Sequence, residues 1–178
     1  WSYYYQNIYY ANAIINKKNE ITEGSEAEIN QLVGEAYFMR GYMHFLLVNL
    51  YGQPYTKEGA PTSKAIPLKL SLDLEEMPTR NTVEEIYASI LSDIENARQL
   101  INHKEWETGY NYRFSKLAVD AFESRVRLYK GEWQTAYNAA ERVLEQKSTL
   151  EDYNNNNSTD FQMPNTYTSV ESITAYEN

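Results

Sequence analysis

The chain has 178 residues, the length of one ordinary domain, with 42% hydrophobic and 23% charged residues. A net charge of −9 argues against a phosphate backbone or an anionic membrane surface as partner, and the absence of cysteine excludes disulfides, thiolate zinc sites, thiol catalysis and iron–sulfur clusters. The unusual figure is 17 tyrosines against 5 phenylalanines and 3 tryptophans: rings with an apolar face and a polar tip, suited to wet cores, interfaces and sugar-stacking surfaces.

Apolar residues recur at helical spacing from the start: Trp1, Tyr4, Tyr5, Ile8, Ala11, Ile15. The stretch 18–25 is polar. Ser25 with Glu28 forms a capping box, so a long helix is predicted from about 26 to 51, its seam running Ile29, Leu32, Ala36, Met39, Met43, Leu46, Leu50. Gly52 and Pro54 end it. Residues 52–81 carry four prolines (Pro54, Pro61, Pro67, Pro78) and read as a long connection without regular structure, a kind of loop that is often functional. Thr82 with Glu85 is a second capping box, opening a helix through Val83, Ile86, Ile90, Ile94, Ala97 and Ile101. A short polar-aromatic loop follows, with Trp106, Gly109, Tyr110 and Tyr112. Ser115 is the predicted N-cap of a helix to Lys130, Gly131 its C′ residue, and a last helix spans 132–147. Beyond Lys147 the asparagine run Asn154–Asn157 and an aperiodic stretch 152–168 read as loop, and Val170, Ile173 and Tyr176 suggest a short extended segment.

The class read from this pattern is all-α, built of helical hairpin repeats with a long proline-containing loop and an irregular C-terminal segment. The clearest repeat unit is Ala118-x3-Phe122 through Tyr129-Lys-Gly-Glu-Trp133-x2-Ala136-x3-Ala140, which resembles the tetratricopeptide (TPR) pattern: small residues where helices touch and a glycine at the turn. Looser copies pair 1–17 with 26–51 and 82–101 with 115–130. Repeats bury their faces by stacking, so the last helix, with no evident mate, suggests further sequence. The start at Trp1, with no basic leader, suggests a mature chain or an excised piece.

Four motifs in order then resemble the SusD/RagB family of nutrient-binding outer-membrane lipoproteins: Gly34-Glu-Ala-Tyr-Phe-Met-Arg-Gly-Tyr-Met-His-Phe-Leu-Leu-Val-Asn-Leu-Tyr-Gly52 followed by Pro54; Arg80-Asn-Thr-Val83-Glu-Glu-Ile-Tyr87-x2-Ile90-x2-Asp93-Ile-x2-Ala97; Arg113-x4-Ala118 with Arg125-Val-Arg-Leu-Tyr-Lys-Gly-Glu-Trp133-x2-Ala136; and Ser169-Val-Glu-Ser-Ile173. Gly41, where the family often has alanine, and the polar run Asp120–Ser124 depart from the pattern. The resemblance implies residues 1–150 as a TPR-like scaffold and 151–178 as an irregular segment leading into a further part. It implies a surface-exposed binding protein, lipid-anchored at full length, that captures a glycan and passes it to a SusC-like TonB-dependent transporter. The alternative is a generic TPR-like protein–protein interaction scaffold.

Catalysis is not indicated. His44 lies in the long helix with no nucleophile or orienting partner beside it, and His103 sits beyond a helix end. There is no HExxH, EF-hand or phosphate loop, so no metal or cofactor is expected. The carboxylate pairs Glu75-Glu76, Glu84-Glu85 and Asp93-Glu95 are sequence neighbours, which do not face each other across a sugar as a glycosidase pair must. Glu35 and Arg40 read as partners of groups on adjacent helices. For a glycan platform the candidates are Trp106, Tyr110 and Tyr112, near Asn102, Asn111 and Arg113, and secondly Tyr55 and Arg80 at the ends of the long loop. Trp1, Trp133 and the helical tyrosines, including Tyr3, Tyr9, Tyr10, Tyr51, Tyr129 and Tyr137, are expected to serve packing.

Overall fold

A computed structural model of the chain describes residues 1–73, 75–155 and 166–175. Five helices carry the fold: α1 (Ser2–Asn16), α2 (Glu26–Tyr51), α3 (Val83–Leu100), α4 (Lys116–Lys130) and α5 (Trp133–Leu144). Local chemistry sets the ends of the three central ones. Ser25 and Thr82 both complete capping boxes, the Glu28 and Glu85 carboxylates reaching back to the N-cap N–H. These bonds hold both carboxyls below the usual carboxylate range. The Ser115 hydroxyl accepts from the Ala118 N–H, and Gly131 ends α4 at φ 82°, a left-handed conformation open to glycine at little cost.

The connection 52–81 is more ordered than its prolines suggest. After a 3₁₀ turn (Ala60–Thr62), two short strands, β1 (Lys64–Pro67) and β2 (Arg80–Thr82), pair antiparallel. The pairing places Ala65 and Ile66 in the core. Strands of four and three residues, one of them ending in proline, are too short to leave an alternating signature.

Helix α2 is the centre of the molecule, packed by α1 on one side and α3 on another; α4 packs chiefly on α5 and touches α3 less extensively. The pairing of α1 with α2 follows the sequence expectation, but α3 lies mainly on α2 and not on α4. Its apolar stripe of Val83, Ile86, Ile90, Ile94 and Ala97 meets Phe38, Phe45, Leu47 and Val48, and Phe114 and Phe122 complete this core, Phe38 stacking on Phe114 at 3.9 Å. Burying one such side chain contributes about 1.5–3 kcal/mol.

A buried polar knot crosses this core. Arg40 Nε and Nη2 donate to the two Asp93 carboxylate oxygens at 3.0 and 2.6 Å, while Nη1 donates to Asn12 Oδ1 at 2.9 Å. Asn12 Nδ2 in turn donates to the carbonyl of Lys69 at 3.1 Å. One cluster thus ties α1, α2, α3 and the segment after β1. Burial pushes the Asp93 carboxyl up, and Arg40 pulls against it. On the outer side, Arg98 of α3 and Arg142 of α5 both grip Asp120 and Glu123 of α4 at 2.5–2.8 Å.

The packing expected of the helical aromatics is met only in part: Trp1 packs on Tyr5 and Tyr51, and Tyr129 on Phe45, with ring centroids 5.0–5.2 Å apart, but much of their surface stays open. Tyr3, Tyr9, Tyr10, Tyr51, Tyr129 and Tyr137 are between 36% and 67% exposed, as are Trp1 and Trp133. Helical spacing identifies which residues share a face; it does not say whether another element covers that face. The segment 166–175 forms turns, not a strand; Tyr176 and most of the aperiodic stretch lie outside the described residues.

Candidate functional site

The loop 101–115, between α3 and α4, carries three of the candidate residues. It is pinned to α2 by Gln31, a buried amide that uses both ends. Its Oε1 accepts from the backbone N–H of Asn102 and His103 at 2.9 and 3.2 Å, and its Nε2 donates to Phe114 O at 3.0 Å and Glu35 Oε1 at 2.7 Å. Asn102 adds a bond from its side chain to the Ala27 carbonyl at 2.8 Å. The start of the loop is also tied to the start of α4, whose first N–H groups, those of Lys116 and Leu117, donate to the carbonyls of His103 and Lys104.

Within this frame Trp106 is an anchor. Its indole N–H donates to Phe114 O at 3.0 Å, the His103 ring stacks on it at 3.9 Å, and the Arg113 guanidinium lies 4.5 Å from its centroid. Arg113 continues to Glu35 through two bonds of 2.7 and 3.2 Å. Tyr110 and Tyr112 are open to solvent. They are 52% and 53% exposed, their centroids 6.4 Å apart and their planes 34° from each other.

A cavity of about 410 Å³ is lined by Gly109, Asn111, Tyr112, Tyr167 and Ala175, and two more flank the loop. One, of about 370 Å³, has a polar lining that includes Trp106, Asn111, Lys147, Ser169 and Ser172. The segment 166–175 closes its far side: Asn111 Nδ2 donates to Tyr167 O at 2.7 Å, and the Ala175 N–H donates to Asn111 O at 3.1 Å. The other, of about 590 Å³, lies between α1, α2 and residues 112–114. Its lining includes Tyr10, Asn7 and Glu35, none of which the sequence singled out as binding residues. Tyr10 was hidden by its helical spacing, and no signal in the chain alone sets it opposite the loop.

Tyr55 and Arg80 do not join this region. Tyr55 packs edge-on against Tyr87 at 5.0 Å, donates to Glu84 and carries the Lys130 ammonium 5.0 Å over its ring. Burial, with the Glu84 bond, raises its pKa. Arg80 is exposed at the start of β2.

The titratable groups weighed for catalysis have structural partners or none. Asp93 is bound by Arg40, Glu85 by its cap, and Glu76 by Lys69 at 2.6 Å. His44 is fully buried, and among the described residues neither ring nitrogen has a hydrogen-bond partner. Burial first, and the Arg40 charge second, push its pKa down to about 3, so it stays neutral at physiological pH. Among the described residues no group of three or more metal-ligating side chains converges, and no helix is long and apolar enough to cross a membrane.

A SusD-like family model, described as starch-binding and associating with the outer membrane, matches residues 1–128. The chain belongs to the SusD-like family. The SusD-like protein P38 of Formosa agariphila is 30% identical over 144 residues, which are 81% of this chain and 25% of the relative. A SusD superfamily protein from Bacteroides thetaiotaomicron superposes with a TM-score of 0.78 at 32% identity, covering 86% of this chain and 34% of that one. A laminarin-binding SusD-like protein, at 22% identity, shares the fold, with a TM-score of 0.71 over 86% of this chain and 31% of its own. The chain spans about a quarter of the length of the curated relatives it matches. The SusD-like motifs have evident structural work: Arg40 and Asp93 form the buried knot, Arg113 holds Glu35, and Ile173 packs against the core.

Proposed function

We propose that this chain is the helical part of a cell-surface glycan-binding protein, one that captures an oligo- or polysaccharide and passes it to a SusC-like TonB-dependent transporter. It is a binder and not an enzyme. In this reading residues 1–150 are the TPR-like scaffold, residues 151–178 connect it to the rest of the protein, and a lipid anchor on the full-length protein holds it at the outer membrane. The observation that carries the reading is the loop 101–115 in a SusD-like chain. Two exposed tyrosine rings, Tyr110 and Tyr112, stand side by side on a backbone fastened to α2 by buried hydrogen bonds. Exposed, rigidly held rings offer flat apolar faces to the C–H faces of a sugar without ordering a flexible loop on binding. Trp106 is a positioning residue here, holding Arg113 and the Phe114 carbonyl. Tyr55 and Arg80 belong at most to the margin of such a surface.

The laminarin-binding neighbour makes laminarin oligosaccharides a sensible first probe. Titrated calorimetrically, Tyr112→Ala is expected to weaken binding about tenfold, some 1.4 kcal/mol. Unchanged affinity in both Tyr110→Ala and Tyr112→Ala removes the loop from the binding surface. The interaction-scaffold reading draws on a different feature: the exposed stripe Trp133, Tyr137 and Leu144 on α5 suits contact with another protein surface.

A further inference from the structure

We infer that the groove between α1, α2 and residues 112–114 is the seat of the ligand, and that it takes an uncharged oligosaccharide lying between the Tyr10 and Tyr112 rings over the Glu35–Arg113 pair. The inference rests on the glycan-binding reading above and adds to it a location, a ligand class and residues on α1 and α2.

The groove holds about 590 Å³, within the range of small-ligand sites. Its lining combines the two features that sugar recognition needs. Tyr10 and Tyr112 supply ring faces; they are 55% and 53% exposed, one on a helix and one on the pinned loop. The Tyr10 ring is steadied by Gln6, whose Nε2 donates to its hydroxyl at 3.0 Å. Asn7, Glu35 and Arg113 supply polar groups.

The charge balance selects the ligand class. Glu35 and Arg113 are the only charged residues lining the groove among the described residues, and they neutralise each other across two hydrogen bonds. An acidic sugar would compete with Glu35 for Arg113, in a chain whose net charge is already −9. A hydroxyl is both donor and acceptor, so neighbouring sugar hydroxyls can accept from the guanidinium and donate to the carboxylate without breaking the pair. The pair is preorganised: Arg113 rests on Trp106, and Glu35 is held by Gln31. The polar cavity on the other side of the loop is less suited, since the carboxylate of Glu105 and the ammonium of Lys147 cross its wall as an ion pair and the 166–175 segment closes over it.

The test titrates the full chain with laminarihexaose and cellohexaose as neutral probes and with an alginate oligosaccharide as the acidic one. Variants are Tyr10→Ala, Tyr112→Ala and, on the distant α5 surface, Tyr137→Ala, each first checked for wild-type helical content. A neutral probe is expected to bind, with affinity falling tenfold or more in Tyr10→Ala and in Tyr112→Ala and holding in Tyr137→Ala. If Tyr112→Ala weakens binding and Tyr10→Ala does not, the groove is wrong while the loop platform stands. Tighter binding of alginate than of either neutral probe overturns the ligand class. If the wild-type chain binds none of the three, the groove is wrong, and the same titration of the full-length protein then decides the glycan-binding reading separately.

Discussion

Ile101 occupies the space where Gly34 would carry a side chain. A Cβ on Gly34 would lie 2.7 Å from Ile101 Cγ1 and 2.9 Å from its backbone nitrogen, which is itself fixed by a bond to the Ala97 carbonyl. Backbone cannot yield as a flexible side-chain tip can. Gly34→Ala is therefore expected to destabilise the fold by about 1–3 kcal/mol, the usual range for overpacking. At Gly41 a Cβ would meet the Asp93 Cβ at 3.2 Å, with the Ile90 carbonyl oxygen and Phe122 Cε1 at ordinary contact distances of 3.6 and 3.7 Å, so Gly41→Ala should cost less. Thermal melts of the two variants check the order; equal melting temperatures would contradict it.

Removing one partner of the Arg40–Asp93 pair leaves a buried charge with no counter-ion. Asp93→Ala is expected to lose about 3–5 kcal/mol in denaturant titration. Asn12→Ala, which leaves the ion pair whole and removes one neutral partner of Arg40, should cost markedly less.

His44 predicts a pH dependence. Its folded pKa, near 3, lies below the ordinary imidazole value of 6.5, so below pH 6.5 the unfolded chain takes up a proton that the folded chain refuses. The contribution of His44 is fully present above pH 6.5 and is lost on acidification toward pH 3, at up to about 1.4 kcal/mol per pH unit. His44→Leu also relieves the unpartnered nitrogens. The stability difference between His44→Leu and wild type should grow in favour of the variant as pH falls from 7 to 4, as read by urea titration. A pH-independent difference would refute it.

Trp106→Ala removes a hydrogen bond, a stacked histidine and the support of Arg113 together. The loop 101–115 should become more open to limited proteolysis while the global melting temperature falls by only a few degrees. Trp106→Phe keeps the ring and loses the N–H, and should lie between. If the loop stays protected in Trp106→Ala, the indole is not its anchor.

The helices and their ends were legible because the signals are local: a serine or threonine three residues before a glutamate, an apolar seam, a glycine at C′. The strands were not, since four residues ending in Pro67 and three beginning at Arg80 become a pair only across the intervening loop. The candidate site was legible in part. Trp106, Tyr110 and Tyr112 share a loop in sequence and in space, but which rings face outward depends on Gln31 and Phe114, which lie 83 positions apart. Tyr10 reads as a packing residue because α1 has a helical period, and the period is silent about what lies across the groove.

The β1–β2 pair has an evolutionary consequence. It fixes the two ends of the stretch 68–79, with Pro67 opposite Arg80, and so separates the length of that stretch from the positions of α2 and α3. Doubling a flexible loop costs only about 0.6 kcal/mol in closure entropy. Descendants of this chain can lengthen, shorten or replace the part of that stretch beyond the Lys69 and Ser71 carbonyls, which Asn12 holds, while the helical scaffold keeps its register, which makes it a site for acquiring new surface.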